Sequence, residues 1–214
     1  VSVAAVVVAA GRGVRFGGAK QFETLHNETV TAHSVRAARS VAPRVVLVVP
    51  SSYDGDGEGA DVVVIGGDTR ASSVRAGLVQ CGDADVIVVH DAARPLASVA
   101  LFHAVVEAVR AGADAAVPGL AITDTVKRVT REGSLVIVHE TVPRDELMTV
   151  QTPQAFSRDA LARAHATSSE ATDDAALVEA LGGRVVVVPG EIENCKITSR
   201  DDLERIVTSL RGEK

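Results

Sequence analysis

The stretch Val3-Ala4-Ala5-Val6-Val7-Val8-Ala9-Ala10-Gly11-Arg12-Gly13-Val14-Arg15-Phe16-Gly17-Gly18-Ala19-Lys20-Gln21 is an apolar run that opens into a glycine-rich loop. Val3 to Val8 offers no polar position, as in a strand covered on both faces. The glycines that follow let the backbone approach an anion and aim its N–H groups at it. Arg15 and Lys20 add cations that can neutralise phosphate charge. A buried strand running into such a loop reads as the first unit of an α/β sheet that holds phosphate.

Two familiar phosphate loops are excluded by spacing. A P-loop needs Gly-Lys-Ser/Thr four residues after its first glycine. Here Gly13 and Gly18 are spaced correctly, but Ala19 precedes Lys20 and Gln21 follows it. A dinucleotide fingerprint needs Gly-x-Gly-x-x-Gly and an acidic residue ending the second strand. Gly11 and Gly13 fit, but Phe16 holds the third position and the second strand runs into Pro50. The competing reading is a flexible surface loop with solvated charges.

Outward from this loop, short β-branched runs alternate with helical stretches. Strands are expected at Val3–Val8, Arg44–Val49, Val62–Ile65, Asp85–Val89, Ala113–Val117 and Arg184–Val188. Val99, Phe102, Val105, Val106 and Val109 recur at helical spacing, as do Leu203, Ile206, Val207 and Leu210. Thr198 and Asp201 resemble an N-cap pair for the last helix. This βαβ alternation predicts a Rossmann-like, mostly parallel sheet with helices on both faces. One region breaks the rhythm. Thr125 to Val129, Glu132-Gly133 and Leu135 to Val138 read as strand, turn and strand. An isolated hairpin is marginal alone, so this one needs a surface to pack on. The expected organisation is a single domain over residues 1–214 with an extended β-arm at about 121–147. The Gly- and Asp-rich stretch Tyr53 to Ala60 is expected to be mobile.

The chain has 214 residues, 46% of them apolar, which supports a sizeable core. Its net charge of −6 argues against a broad nucleic-acid surface. Aromatic residues make up 2% of the chain, too few for base-stacking platforms, so a nucleobase would be read by backbone groups and small polar side chains. No apolar run approaches the ~20 residues of a membrane span. Val3 to Ala10 lacks a basic leader, which argues against a secretory signal. Cys81 and Cys195 supply neither a disulfide framework nor metal spacing, and a cytoplasmic setting is expected.

In open α/β sheets ligands gather beyond the carboxyl ends of the strands. Four segments converge there: the opening loop, Gly66-Gly67-Asp68-Thr69-Arg70-Ala71-Ser72-Ser73, His90-Asp91-Ala92-Ala93-Arg94-Pro95 and Asn194-Cys195-Lys196-Ile197-Thr198. Asp91, a carboxylate ending a buried strand beside a phosphate loop, is placed to hold Mg²⁺, which takes one or two carboxylates plus phosphate oxygens. Its alternative role is a helix N-cap. His90 reads as a packed histidine. Asp68, Thr69 and Ser73 could equally cap the next helix, Arg70 alone reads as a solvated charge, and Thr172-Asp173-Asp174 most simply starts a helix.

These segments, with Asp124-Thr125-Val126-Lys127, Gln151-Thr152-Pro153-Gln154, Thr172-Asp173-Asp174-Ala175 and Lys196-Ile197-Thr198, occur in an order that resembles the 2-C-methyl-D-erythritol 4-phosphate cytidylyltransferase family of the non-mevalonate isoprenoid pathway. The resemblance spans essentially the whole chain. It implies transfer of CMP from CTP to methylerythritol 4-phosphate with release of pyrophosphate. Cytidylyltransferases for other polyol phosphates, such as ribitol 5-phosphate, share most of these motifs, so such an activity, or that of a sugar-1-phosphate nucleotidyltransferase, is the rival reading within the class. A non-catalytic CTP-binding sensor is the rival from another class, although it would not need cations around the α-phosphorus.

By that resemblance, Arg15 and Lys20 grip the triphosphate and Lys196 meets the α-phosphate. Ala9, Ala10, Gly11, Gly13, Gly67, Asp68 and Ser73 line the nucleotide pocket, and Asp91 holds Mg²⁺ across the phosphates. The arm dimerises the protein. Thr125 and Arg144 match positions that bind the acceptor in the neighbouring subunit's site, with Arg94, Thr152 and Lys127 in support. The chain departs from the family pattern at Val14, where a second Arg is common, at Ala19 in place of Pro, and at Pro143 in place of Asp.

Overall fold

The computed structural model describes residues 1–166 and 171–211. The run that opens the chain forms β1 (Val3–Val8), and its side chains alternate between two cores. Val3, Ala5 and Val7 face one hydrophobic cluster, while Ala4 and Val6 face another on the opposite side of the sheet. That two-sided burial is why no polar residue interrupts the run.

After the opening loop come the two-residue strands β2 (Thr24–Leu25) and β3 (Glu28–Thr29), then α1 (Val30–Arg39). The βα rhythm continues through β4 (Arg44–Val49), β5 (Val62–Ile65), α2 (Arg70–Leu78), β6 (Val86–Asp91), α3 (Val99–Arg110) and β7 (Ala115–Ala121). A hairpin, β8 (Val126–Glu132) and β9 (Leu135–Val142), interrupts it. The chain returns through β10 (Met148–Val150), β11 (Gln154–Ser157), α4 (Arg158–Ala166), α5 (Asp174–Ala180), β12 (Val185–Pro189) and α6 (Arg200–Arg211).

Eight strands make one sheet in which β12 lies along one flank of β7 and β10 and β11 along the other; from β11 the sheet continues through β6, β1, β4 and β5. The pairs β1–β4, β1–β6, β4–β5 and β7–β12 are parallel. The antiparallel members β10 and β11 are the difference from expectation: each is short, and Gln151-Thr152-Pro153 between them interrupts the pattern that would mark a strand. Three boundaries also move. The strand expected at Asp85–Val89 is Val86–Asp91, so Asp91 is its last residue; Ala113–Val117 becomes Ala115–Ala121, and Arg184–Val188 becomes Val185–Pro189.

The last helix is capped one residue later than Thr198 and Asp201 suggested. Ser199 Oγ accepts from the Asp202 backbone N–H, and Asp202 Oδ2 accepts from the Ser199 N–H and from both the N–H and hydroxyl of Thr198. The stretch expected to be mobile carries defined contacts: Tyr53 packs on Phe22 with ring centroids 4.9 Å apart, and its hydroxyl accepts from the Gly57 N–H. The β8–β9 hairpin forms a sheet of its own. Val129, Leu135, Val136, Ile137 and Val138 are all exposed on it. No described helix is long and apolar enough to cross a membrane.

Gly77 lets α2 lie directly against the sheet. A Cβ there would sit 2.5 Å from Val6 Cγ1 and 3.0 Å from Val48 Cγ2. Gly77→Ala therefore lowers the urea midpoint: overpacking of about 1–3 kcal/mol exceeds the helix-propensity gain of about 1 kcal/mol.

Candidate active site

Beyond the carboxyl ends of β1 and β6 lies a cavity of about 480 Å³. The opening loop, the segment from Gly67 to Ser73, Asp91 and Lys196 form its walls. The register of the sheet explains the convergence, because Val8 at the end of β1 pairs with Asp91 at the end of β6.

The opening loop is shaped by its own backbone. Gly13 has φ +60°, and a Cβ there would meet Gly18 O at 1.8 Å, so only glycine fits. Its carbonyl accepts from the N–H groups of Phe16 and Gly17. At the loop's base the buried Gln21 amide donates to Ala9 O at 2.7 Å and to Gly11 O at 2.9 Å. Gln21 is a site-building residue that the motif reading quoted but gave no role. No local feature of the sequence marks it, because its partners Ala9 and Gly11 meet it only once the loop folds back.

On the second wall, Thr69 caps α2 in a capping box with Ser72, which settles the choice among Asp68, Thr69 and Ser73. Ser73 is buried with its hydroxyl donating to Thr69 O. Asp68 is exposed and lies 3.7 Å from Arg12 across the cavity rim.

Asp91 is the electrostatic centre of the site. Lys196 Nζ donates to Asp91 Oδ2 at 2.6 Å, and Arg70 Nε approaches Oδ1 at 3.4 Å. Burial alone would raise this carboxyl, but Arg70 and Lys196 hold it well below the usual carboxylate range. Arg70 is not the solvated charge its sequence context suggested. Its Nη1 donates to the buried Asp174 at 2.6 Å, and Asp174 in turn contacts the buried His165 Nε2 at 2.9 Å. Burial opposes the charge on Arg70, yet Asp91 and Asp174 more than offset it and raise its pKa. Asp173 caps α5 as expected. What the sequence did not signal is that the next residue faces inward to meet a helix far earlier in the chain.

Behind Asp91 a buried polar chain fixes the end of β6. Thr152 Oγ1 accepts from the Asp91 N–H at 3.0 Å and lies 3.2 Å from His90 Nδ1. His90 Nε2 lies 3.1 Å from Arg94 O, which can only accept, so Nε2 carries the proton and Nδ1 accepts from the Thr152 hydroxyl. Burial pushes the His90 pKa down to about 4, which keeps the ring neutral in this chain of bonds. Arg94 Nη1 donates to Asn194 O at 2.7 Å, and the Ile197 N–H donates to Ala93 O at 2.9 Å. The segment carrying Lys196 is thus sewn to the segment carrying Asp91.

The expected residues divide cleanly. Ala9, Ala10, Gly11, Gly13, Arg15, Lys20, Gly67, Asp68, Ser73, Asp91 and Lys196 all line the cavity. Arg94 and Thr152 stand behind it as the hydrogen-bonding support just described. Thr125, Lys127 and Arg144 are exposed on or beside the arm and do not line their own chain's cavity. Lys20 is pressed by its surroundings: burial lowers its pKa, and Lys196 and Arg15 lower it further. Crowded, partly buried cations of this kind are relieved by a bound polyanion. For a metal, Asp91 offers a carboxylate on the cavity wall and Asp68 an exposed one at the rim, and among the described residues no cluster of three or more His, Cys, Asp or Glu forms a protein cage. That donor set suits Mg²⁺, which completes its shell with substrate phosphates and water.

Residues 3–211 match the family described as 2-C-methyl-D-erythritol 4-phosphate cytidylyltransferase. The chain is 45% identical over 220 residues to the protein of that name from Streptomyces avermitilis, covering 94% of this chain and 88% of the relative. It is 44% identical over 217 residues to the bifunctional enzyme IspD/IspF of Clavibacter michiganensis subsp. michiganensis, where it covers 94% of its own length and spans about half, 52%, of that relative. The crystal structure of 2-C-methyl-D-erythritol 4-phosphate cytidylyltransferase from Thermus thermophilus superposes with a TM-score of 0.81 at 36% identity, covering 99% of this chain and 98% of that one. With a family match over nearly its whole length and one fold throughout, the chain belongs to the 2-C-methyl-D-erythritol 4-phosphate cytidylyltransferase family.

Proposed function

We propose that the cavity between the opening loop and Asp91 is where this chain makes 4-diphosphocytidyl-2-C-methyl-D-erythritol and pyrophosphate from CTP and 2-C-methyl-D-erythritol 4-phosphate. The observation that carries this reading is the set of three cations, Arg15, Lys20 and Lys196, lining one cavity with Asp91. A phosphate monoester, with a second pKa of ~6, is largely dianionic at neutral pH and needs no general base. The difficulty is that two anions must meet. The protein's task is to align them for in-line attack on the α-phosphorus and to neutralise charge.

In this reading Ala9, Ala10, Gly11, Gly13, Gly67, Asp68 and Ser73 receive the nucleoside, chiefly through backbone groups. Arg15 and Lys20 hold the triphosphate. Lys196, 39% exposed, is free to exchange its contact with Asp91 for one with the α-phosphate. Asp91 would hold Mg²⁺. When bound, that ion supplies positive charge to phosphate oxygens. A cytoplasmic setting is part of the proposal, and the unpaired Cys81 and Cys195 support it.

The acceptor's own contacts fall to Thr125, Lys127 and Arg144, with Arg94 and Thr152 behind. Because the arm's residues lie outside their own chain's cavity, we assign them to the site of a second copy, in a homodimer formed through the arm. The exposed apolar side chains of β8 and β9 support this, since a lone two-stranded hairpin is marginal in water.

Purified protein with Mg²⁺ is expected to release pyrophosphate from CTP and methylerythritol 4-phosphate. Lys20→Ala lowers kcat by about 10²–10³, the scale for losing one transition-state donor. Release with ribitol 5-phosphate instead would make the chain a different polyol-phosphate enzyme. CTP binding without turnover of any polyol phosphate would make it a sensor. On pH, the depressed Lys20 pKa means its charge is lost earlier than in a free lysine as pH rises. The kcat/KM profile for CTP therefore falls on its basic side below the ordinary lysine range, while the kcat profile, where the bound anion raises Lys20, falls at higher pH. Lys20→Arg removes that basic limb. Finally, Leu135→Asp with Ile137→Asp converts a sedimenting dimer to a monomer and abolishes turnover; a wild-type monomer of full activity would refute the arm's role.

A further inference from the structure

The opening loop carries four glycines between Gly11 and Gly18 and has little intrinsic order of its own. Between Gly11 and Lys20 a single residue, Phe16, is buried. Its neighbours Val14 and Arg15 are exposed. The Phe16 ring is 4% exposed and sits in a satellite core, separate from the two clusters flanking the sheet, with Leu25, Val30, Ile197 and Ile206. The Arg200 guanidinium lies over the ring, 4.8 Å from its centroid.

This small core gathers residues from four places along the chain. Phe16 brings in the opening loop, directly after Arg15. Val30 brings in the start of α1, where the Thr31 hydroxyl donates to Gln21 O at 2.6 Å and so ties down the turn that begins at Lys20. Ile197 brings in the residue next to Lys196, and Ile206 the body of α6. Each cation of the clamp is thus one or two residues from a group anchored in, or bonded to an element of, the same core. A buried aromatic side chain supplies large apolar area with few rotamers, which suits it to hold a glycine-rich segment in one pose.

We propose that Phe16 is a positioning residue whose insertion beneath Arg200 sets the placement of Arg15 and Lys20 relative to Lys196. The proposal rests on the reading of those three cations as the phosphate clamp. It assigns α6 a role in the reaction although α6 does not line the cavity.

The test compares wild type with Phe16→Ala, Phe16→Leu, Ile206→Val and a truncation in the main core, Val105→Ala. Each variant is assayed below its unfolding transition for pyrophosphate release with CTP, Mg²⁺ and methylerythritol 4-phosphate. In parallel, limited trypsin digestion read by mass spectrometry reports cleavage after Arg12, Arg15 and Lys20. Phe16→Ala is expected to lose about 10²-fold in kcat, the scale of a misplacement near 1 Å, with a smaller change in the KM for CTP. Its loop becomes readily cut at those three positions. Phe16→Leu restores most of the rate and protects the loop, and Ile206→Val shifts loop cleavage in the direction of Phe16→Ala even if that variant does not fold. Val105→Ala changes neither readout. The proposal is overturned if Phe16→Ala behaves as Val105→Ala does, or if kcat falls with no change in loop cleavage. A wild-type protein that releases no pyrophosphate would instead refute the catalytic reading, and the trypsin comparison would still decide whether Phe16 orders the loop.

Discussion

A half-buried carboxylate at the end of a central strand, Asp91 between Lys196 and Arg70, is the constraint on which the rest of the site depends. Removing a charge from water is expensive unless partners and hydrogen bonds replace the solvent. Here the replacement extends beyond one pair. Asp91 and Asp174 supply two negative charges, Arg70 and Lys196 supply two positive ones, and His165 contacts the far side of Asp174. Asp174 matters because it shares Arg70. Without it, the half-buried Arg70 guanidinium would have the single carboxylate of Asp91, already bonded to Lys196 through Oδ2, as its partner. With it, Asp91 keeps an oxygen for a cation at the cavity wall.

That arrangement suits a reaction between two anions. The chain has few aromatic residues and an overall charge of −6, yet concentrates Arg15, Lys20 and Lys196 at one opening. Burial, and after it the neighbouring charges of Lys196 and Arg15, lower the Lys20 pKa. In the proposed reaction a bound triphosphate relieves that pressure, so ligand affinity and catalytic charge would come from the same side chains. The neutral His90 and the hydroxyl of Thr152 hold the backbone of Asp91 without adding charge to the balance. Positioning is thereby divided between a rigid strand end, fixed by buried hydrogen bonds, and a glycine-rich loop that depends on side-chain anchors.

Much of this was legible in the sequence because short-range rules govern it. The uniform apolar run of β1 announces a strand buried on both faces, and the glycines after it announce a tight loop, which forms around Gly13. The four loops at the strand ends were correctly brought together because topology alone places them there. What was illegible depends on distance along the chain. Arg70 carries no local mark of burial; its partners Asp91 and Asp174 are supplied by β6 and α5. Gln21 likewise looks like any polar residue until the loop folds back on Ala9 and Gly11. The antiparallel strands β10 and β11 were missed because each is too short for an alternating pattern, and tertiary pairing with β7 and β6 decides their conformation. The cap of α6 moved by one residue, within the margin at which helix ends are read from sequence.

The central claim is that the cavity's cations and Asp91 close around the α-phosphate of CTP. The most direct measurement is a crystal structure of the protein with CTP and Mg²⁺. The account predicts cytidine seated against Ala9, Ala10, Gly67 and Ser73, the triphosphate between Arg15 and Lys20, and Lys196 Nζ moved from Asp91 onto an α-phosphate oxygen. A triphosphate bound elsewhere, or a Lys196 that keeps its contact with Asp91 while CTP occupies the cavity, would contradict it.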